Sequence, residues 1–405
     1  MSHPVPSSMI TTRPQLRDLI GRLRDSGRFA FDTEFVSEET FEPVLCLIQV
    51  AAADVLAVID PEAVGDISSF WELVQDPAMN VVMHAAGEDL RICHLRTGKL
   101  PERVFDVQIA AGMVGLSYPL SLSNLASQVM DVTLSSSETR TDWRRRPLSQ
   151  AQLEYALDDV RYLLEIADRL IDRLRALGRL DWAQAEFRDQ AREIARRADA
   201  DRWRRLPGLH QLSRRGLEAA RRLSDWREDV ARKRNRPLRQ IMRDDLLTAI
   251  AKRMPRSKRD LEALRDFNRP ALLSHGQEIL EVLDQARGVV DDALPELPDR
   301  HEEPPGVSTI TNLLSAALAQ CCAHNQISGS LVGSVSDLKQ LVRWRLDEPR
   351  DPARPPALLD GWRRELCGQV LLDVLEGKVA LRVVDPMSEY PVALENSSNP
   401  NISPS

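Results

Sequence analysis

The stretch Phe29-Ala30-Phe31-Asp32-Thr33-Glu34-Phe35 decides how this chain is read. Apolar and polar residues alternate at the period of a β-strand, so Asp32 and Glu34 share one face while Phe31, Thr33 and Phe35 point to the other. Two carboxylates held side by side repel each other unless a cation lies between them. The plain alternative is a solvated polar face on an edge strand. Two apolar runs follow with short connections, Val44 to Ala51 and Val55 to Ile59, which predicts an antiparallel meander. Ahead of them, Leu16, Leu19, Ile20 and Leu23 recur at helical spacing over residues 13–25.

Beyond the meander the pattern changes. Residues 67–74 read as helix, 80–84 as strand and 87–95 as helix. Residues 106–114 and 122–129 read as further helices, and one long helix is expected over 150–177. Strands first and strand–helix alternation afterwards imply a mixed sheet with helices on its faces, filling residues 1–175. Residues 176–205 are helical and charged and read as a connector. Residues 206–290 read as an all-helical domain, and the acidic, proline-rich residues 291–305 as a linker. Residues 306–385 read as a second helical unit, and 386–405 as a disordered tail.

The totals set limits on function. The chain has 405 residues, 43% of them hydrophobic and 28% charged, with a formal net charge of -7. Such a chain is not basic all over, so any grip on nucleic acid must be local. Residues 202–269 supply it, with 21 Lys and Arg against fewer than half as many acids. The five cysteines include no C-x-x-C pair and the histidines no zinc-ligand spacing, so a reducing compartment is expected and a zinc site is not. Residues 1–12 lack the pattern of a signal peptide, and no run is long and apolar enough for a membrane span. A cytoplasmic location follows as an expectation, and the absence of a dimer signature leaves a monomer as the expected state.

Three other positions complete the set of candidates. Tyr155 and Asp159 are four apart on the long predicted helix and share a face, and Asp158 competes for the same place. Their plain reading is a charged helix face meeting water. Asp89 falls in the first turn of a helix after a strand, where an acid also suits the helix dipole. Asp106 reads as an N-cap. Four carboxylates from such elements offer only oxygen ligands, which suit hard cations such as Mg²⁺ or Mn²⁺, and four can hold two ions.

The runs FDTEF followed by PVLCLIQV, VVMHAAGEDLRI continuing to FDVQIAAGMVG, and TDWRRRPLSQAQLEYALDDVRYLLEI resemble the three ordered motifs of the DEDD exonucleases. The tyrosine in the third marks the DEDDy subclass, and the whole resembles ribonuclease D. The stretch LHQLSRRGLEAARRLSDWREDVARKRNRPLRQIMRDDLLTAIAKRMP resembles an HRDC domain, and LLDGWRRELCGQVLLDVLEGKVALRV the end of a second. The resemblance implies an α/β ribonuclease H-like exonuclease domain, a mixed sheet flanked by helices, followed by two all-α HRDC-type domains. It implies Asp32, Glu34, Asp89 and Asp159 as ligands of two divalent ions, Mg or Mn, and Tyr155 as the residue that orients the attacking water and helps to deprotonate it. The choice of Asp159 over Asp158 rests on the family spacing Y-x-x-x-D.

On this resemblance the expected activity is 3′–5′ exoribonuclease, releasing nucleoside 5′-monophosphates from RNA, tRNA precursors with 3′ extensions among them. One departure stands out: where an Asp-Lys pair is expected before Asp142-Trp143, the chain has Ser135-Ser136. Arg140, Arg144, Arg145 and Arg146 are nearby candidates to contact RNA in compensation, with simple surface charge as the alternative. Trp203 and Trp226 are candidates to stack on bases, although the helical spacing of Trp226 favours the core. A DNA exonuclease and a non-catalytic RNA-binding scaffold are the competing readings.

Overall fold

The computed structural model describes residues 7–134, 141–199, 201–297, 305–346, 355–388 and 390–397. Ser135, Ser136 and Arg140 lie outside the described residues. Six strands form one sheet: β1 (Ser7–Ile10), β2 (Arg28–Val36), β3 (Val44–Ala52), β4 (Val55–Ile59), β5 (Asn80–Met83) and β6 (Val104–Asp106), in the order β1-β4-β3-β2-β5-β6. The meander β2-β3-β4 is antiparallel, and β1, β5 and β6 join parallel to their neighbours, so the sheet is mixed. This places β2, with its two acids, in the sheet's interior and removes the edge-strand alternative for them.

Each face of the sheet has its own core. Phe29, Phe31 and Ile48 pack with Leu16 and Leu23 of the helix Arg13–Ser26 and with Phe70 and Trp71. The other face buries Ala30, Leu47 and Val82 under Ala156, Leu157 and Val160. The helix expected over 150–177 is two helices, Gln150–Arg161 and Leu163–Ala176, with the break at Tyr162, where φ is -106° and ψ -4°. The first piece lies over β2, β3 and β4 and the second reaches β5 and the helix Val107–Met113, so the break lets the chain follow the twisted sheet.

The stretch expected as a connector is the helix Leu180–Asp199, and it packs on the helix Gly87–Thr97 and on β6. Residues 214–287 have a core of their own, with Leu217, Leu247 and Leu283 from the helices Arg214–Arg234, Asp244–Arg253 and Gly276–Arg287 and Phe267 from the segment between the last two. The last unit does not stand alone. Leu314, Leu341, Leu358 and Leu371 belong to the same buried cluster as the second face of the sheet. Of residues 386–405, expected to be disordered, 392–396 form a strand instead, and 398–405 lie outside the described residues. Val392–Asn396 (β8) pairs antiparallel with Val379–Val383 (β7), because Val379 and Leu381 alternate toward partly buried positions that Leu394 completes.

Candidate active site

β2 delivers Asp32 and Glu34, and the helix Gln150–Arg161 delivers Asp159. That helix is fixed at its start by Ser149, which caps Gln152 N–H while the Gln152 side chain returns to the Ser149 backbone. One carboxylate oxygen from each of Asp32, Glu34 and Asp159 lies within 4.8 Å of the others. Asp158 turns away and accepts from Arg161 Nε at 2.9 Å, so the structure brings Asp159 and not Asp158 to the strand acids.

Asp89, on the first turn of Gly87–Thr97, stands outside that mutual set but close enough to act on it. Thr33 Oγ1 donates to its carboxylate. The helix is aimed by Asp106, which the sequence showed only as an N-cap. Its carboxylate caps Gln108 and Ile109 and also accepts from Ala85 and Ala86 N–H, at 3.2 and 2.9 Å, across the turn before Asp89. Ala85 is held there in the left-handed region, at φ 54°.

Four acids without a counter-charge disturb one another. Burial, then Asp89, Asp159 and Glu34, push Asp32 well above the usual carboxylate range. Burial, then Asp159 and Asp89, push Glu34 up to about 8. Burial is the leading cause for the other two: Asp89 rises to about 7 although Thr33 opposes it, and Asp159 rises to about 7 with Asp158 and Asp89 adding to the effect. Tyr155 faces the same cluster. Burial and the charges of Asp159, Glu34 and Asp32 raise its phenol, and its ring stacks on Trp143 at 6.0 Å between centroids. The sequence did not single out Trp143 or Thr33 for these roles. For Thr33, its place between the two acids is the available signal.

Two of the three arginines after Trp143 are occupied, Arg144 and Arg146. Arg144 donates to Asp142 and to Glu39, at 2.9 and 2.7 Å. Arg146 donates to Asp60 at 2.6 Å, to the carbonyls of Trp143 and Arg145, and to Cys46 at 3.1 Å. Cys46 is the residue left over where the β2–β3 register slips beside Glu34, so Arg146 satisfies the carbonyl that the bulge frees. Arg146 therefore supports the sheet, whereas the Arg145 side chain is 84% exposed, with the Asp142 carboxylate 3.8 Å away. Trp203 is buried in a helical core, and Trp226 is partly buried against the same core with its Nε1 donating to Glu278 at 2.9 Å.

Residues 7–175 match the 3′–5′ exonuclease family, residues 216–283 the HRDC domain, and residues 305–371 the C-terminal HRDC domain of ribonuclease D. An acid cluster on a mixed sheet followed by these two helical modules defines a hydrolytic 3′–5′ exonuclease. The ribonuclease D of Gluconacetobacter diazotrophicus is 34% identical over 93% of this chain and 94% of that protein, and that of Escherichia coli is 33% identical over 91% and 98%. The crystal structure of Escherichia coli RNase D, described as an exoribonuclease involved in structured RNA processing, superposes with a TM-score of 0.81, at 31% identity over 92% of this chain and 99% of that one. The chain belongs to the ribonuclease D family, and it is an exoribonuclease.

Proposed function

We propose that this chain trims RNA from its 3′ end, with tRNA precursors carrying 3′ extensions among its substrates, and that it acts as a monomer in the cytoplasm. The observation that carries the reading is the mutual approach of the Asp32, Glu34 and Asp159 oxygens within 4.8 Å, beside Asp89. An all-oxygen set of crowded, destabilised carboxylates fits hard divalent cations, Mg or Mn, and does not call for zinc. Two such ions would be held by Asp32, Glu34, Asp89 and Asp159, supplying an activated water and stabilising charge on the attacking and leaving oxygens.

The chain's own residues do the rest. Water oxygen bonds to the terminal phosphorus, the bond from phosphorus to the preceding 3′ oxygen breaks, and that oxygen takes up a proton. The products are a nucleoside 5′-monophosphate and an RNA shorter by one nucleotide. With its phenol raised, Tyr155 keeps its proton at neutral pH. It orients the water through its hydroxyl. Trp143, stacked on its ring, fixes its direction.

A time course on 3′-tailed tRNA and a matched DNA strand, with Mg²⁺, Mn²⁺ or chelator, tests the reading. Metal-dependent loss of single nucleotides from the RNA, with DNA spared, is the expected outcome. Equal decay of both strands would remove the RNA assignment, and cleavage that survives chelator would remove the metal assignment.

A further inference from the structure

The loop between β2 and β3, residues 37–43, starts three residues beyond Glu34 and reaches two places at once. Toward the catalytic centre, Glu39 accepts from Arg144 at 2.7 Å, and Arg144 follows Trp143, whose ring stacks on Tyr155. Away from the centre, Phe41 enters the basic helical domain. Its ring lies 5.8 Å from the Arg202 guanidinium and 5.2 Å from that of Arg232. It packs against the small apolar cluster of Val230, Ala231 and Ile241. Its backbone N–H donates to Asn235 Oδ1 at 3.2 Å. Asn235 is itself held in the left-handed region, at φ 46°, as it ends the helix Arg214–Arg234.

These contacts form a built socket. An aromatic ring between two guanidinium groups gains from both cation–π attraction and burial. The backbone hydrogen bond fixes where the loop sits along the helix end. Both arginines are also held from behind, Arg232 by Glu228 at 2.9 Å and Arg202 by the same Glu228 at 3.7 Å, so the socket is shaped without Phe41. Interfaces between domains of one chain move unless something pins them. A basic domain held at one distance from the cleavage site presents its phosphate-binding side chains at a high effective concentration to any RNA whose end lies in that site.

We propose that Phe41 is a positioning residue that pins the first HRDC domain beside the catalytic strand, and thereby sets the preference for long RNA over very short RNA. This rests on the reading that Asp32 and Glu34 mark the cleavage site and that residues 202–269 meet RNA phosphates. An RNA of three nucleotides fills the site without reaching the domain, so the pin matters only for longer chains.

The test uses the full chain, with Phe41→Ala compared with the parent and with Phe41→Trp. Steady-state rates are measured on an RNA trinucleotide and on a 3′-tailed tRNA. Phe41→Ala is expected to raise KM on the tRNA about tenfold at unchanged kcat, while both constants on the trinucleotide stay within about twofold. Its radius of gyration should rise in small-angle scattering, and Phe41→Trp should restore the parent values. Equal changes on both RNAs, or no change on either, would overturn the proposal. If Phe41→Ala does not fold, Asn235→Gly removes the acceptor of the Phe41 hydrogen bond while keeping the left-handed helix end, and must show the same split in KM. Binding of the tRNA in chelator, parent against variant, reads the pin without cleavage, so an inactive parent would count against the metal site and leave this comparison standing.

Discussion

Two regions of this molecule bury charge, and they do it in opposite ways. In the cluster of Asp32, Glu34, Asp89 and Asp159, like charges crowd together and every one of the four carboxyls is pushed upward. At the seam between the catalytic domain and the last helical unit, buried charged groups have hydrogen-bond partners. Glu186 accepts from Arg363 at 2.7 and 2.9 Å and from Trp362 Nε1 at 3.0 Å. Nearby, Arg179 is buried and donates to the carbonyls of Met113, Asn325 and Gln326. Matched charge holds two units together. Unmatched charge of one sign, kept in place by Thr33 and Asp106, is destabilising in the protein alone and makes sense as a receptacle for cations. Neutralising one acid should therefore have opposite effects in the two regions.

The largest effect is expected at Asp32. Asp32→Asn should lower single-turnover cleavage by roughly 10³-fold, about 4 kcal/mol at 1.36 kcal/mol per factor of ten. In chelator, at a pH high enough to ionise the cluster, the same variant should melt at a higher temperature than the parent, because one repelling charge is gone. A variant that cleaves normally, or that melts lower without metal, would break the comparison. At the seam the sign reverses. Glu186→Gln leaves the Arg363 guanidinium without its carboxylate in a mostly buried site and should cost about 3 kcal/mol in urea unfolding, while cleavage of a trinucleotide survives.

A third prediction concerns pH. In the metal-free protein Glu34 titrates at about 8 and Asp89 and Asp159 at about 7, all above their values in the unfolded chain. The folded state thus binds more protons than the unfolded state between about pH 4 and pH 8. Their contribution to stability is complete below that window and falls as pH rises through it. Thermal melts in chelator should show this decline, and saturating Mg²⁺ should flatten it by binding the ionised form. Stability that rises over the same window without metal would contradict the crowding of the four acids.

Much of this was legible in the chain. The alternation around Asp32 and Glu34 gave both the strand and the shared face, and the apolar runs after it gave the antiparallel meander. The resemblance, more than helix geometry, separated Asp159 from Asp158. Contacts between distant segments were not legible. The role of Asp106 at the turn before Asp89 depends on β5 and β6 lying side by side, and the stacking of Trp143 on Tyr155 depends on where a helix crosses the sheet. The helix break at Tyr162 carries no proline or glycine to announce it. The shared core of the last helical unit was hidden for a related reason: its apolar residues have the spacing of a self-contained bundle, and periodicity does not say which partner covers a face. The strand Val392–Asn396 is short and lies among Ser, Asn and Pro, so composition outweighed pairing.

The same contrast between matched and unmatched charge sorts the arginines after Trp143, where the smallest effect is expected. Arg146 is matched by Asp60 and closes the bulge at Cys46, so Arg146→Ala should lower stability and affect RNA only through the sheet. Burial opposes, but Arg146 and the backbone N–H groups of Ala63 and Glu62 hold the Asp60 carboxyl below its ordinary value, the mark of a satisfied pair. Arg145 is almost wholly in solvent and its distant partner, Asp142, already serves Arg144. Its charge is therefore available to a phosphate at little cost. Arg145→Ala should leave the melting temperature unchanged, weaken tRNA binding a few-fold, and lower the slope of log affinity against log salt by about one. An unchanged slope would place Arg145 off the RNA path and leave residues 202–269 to account for the salt dependence.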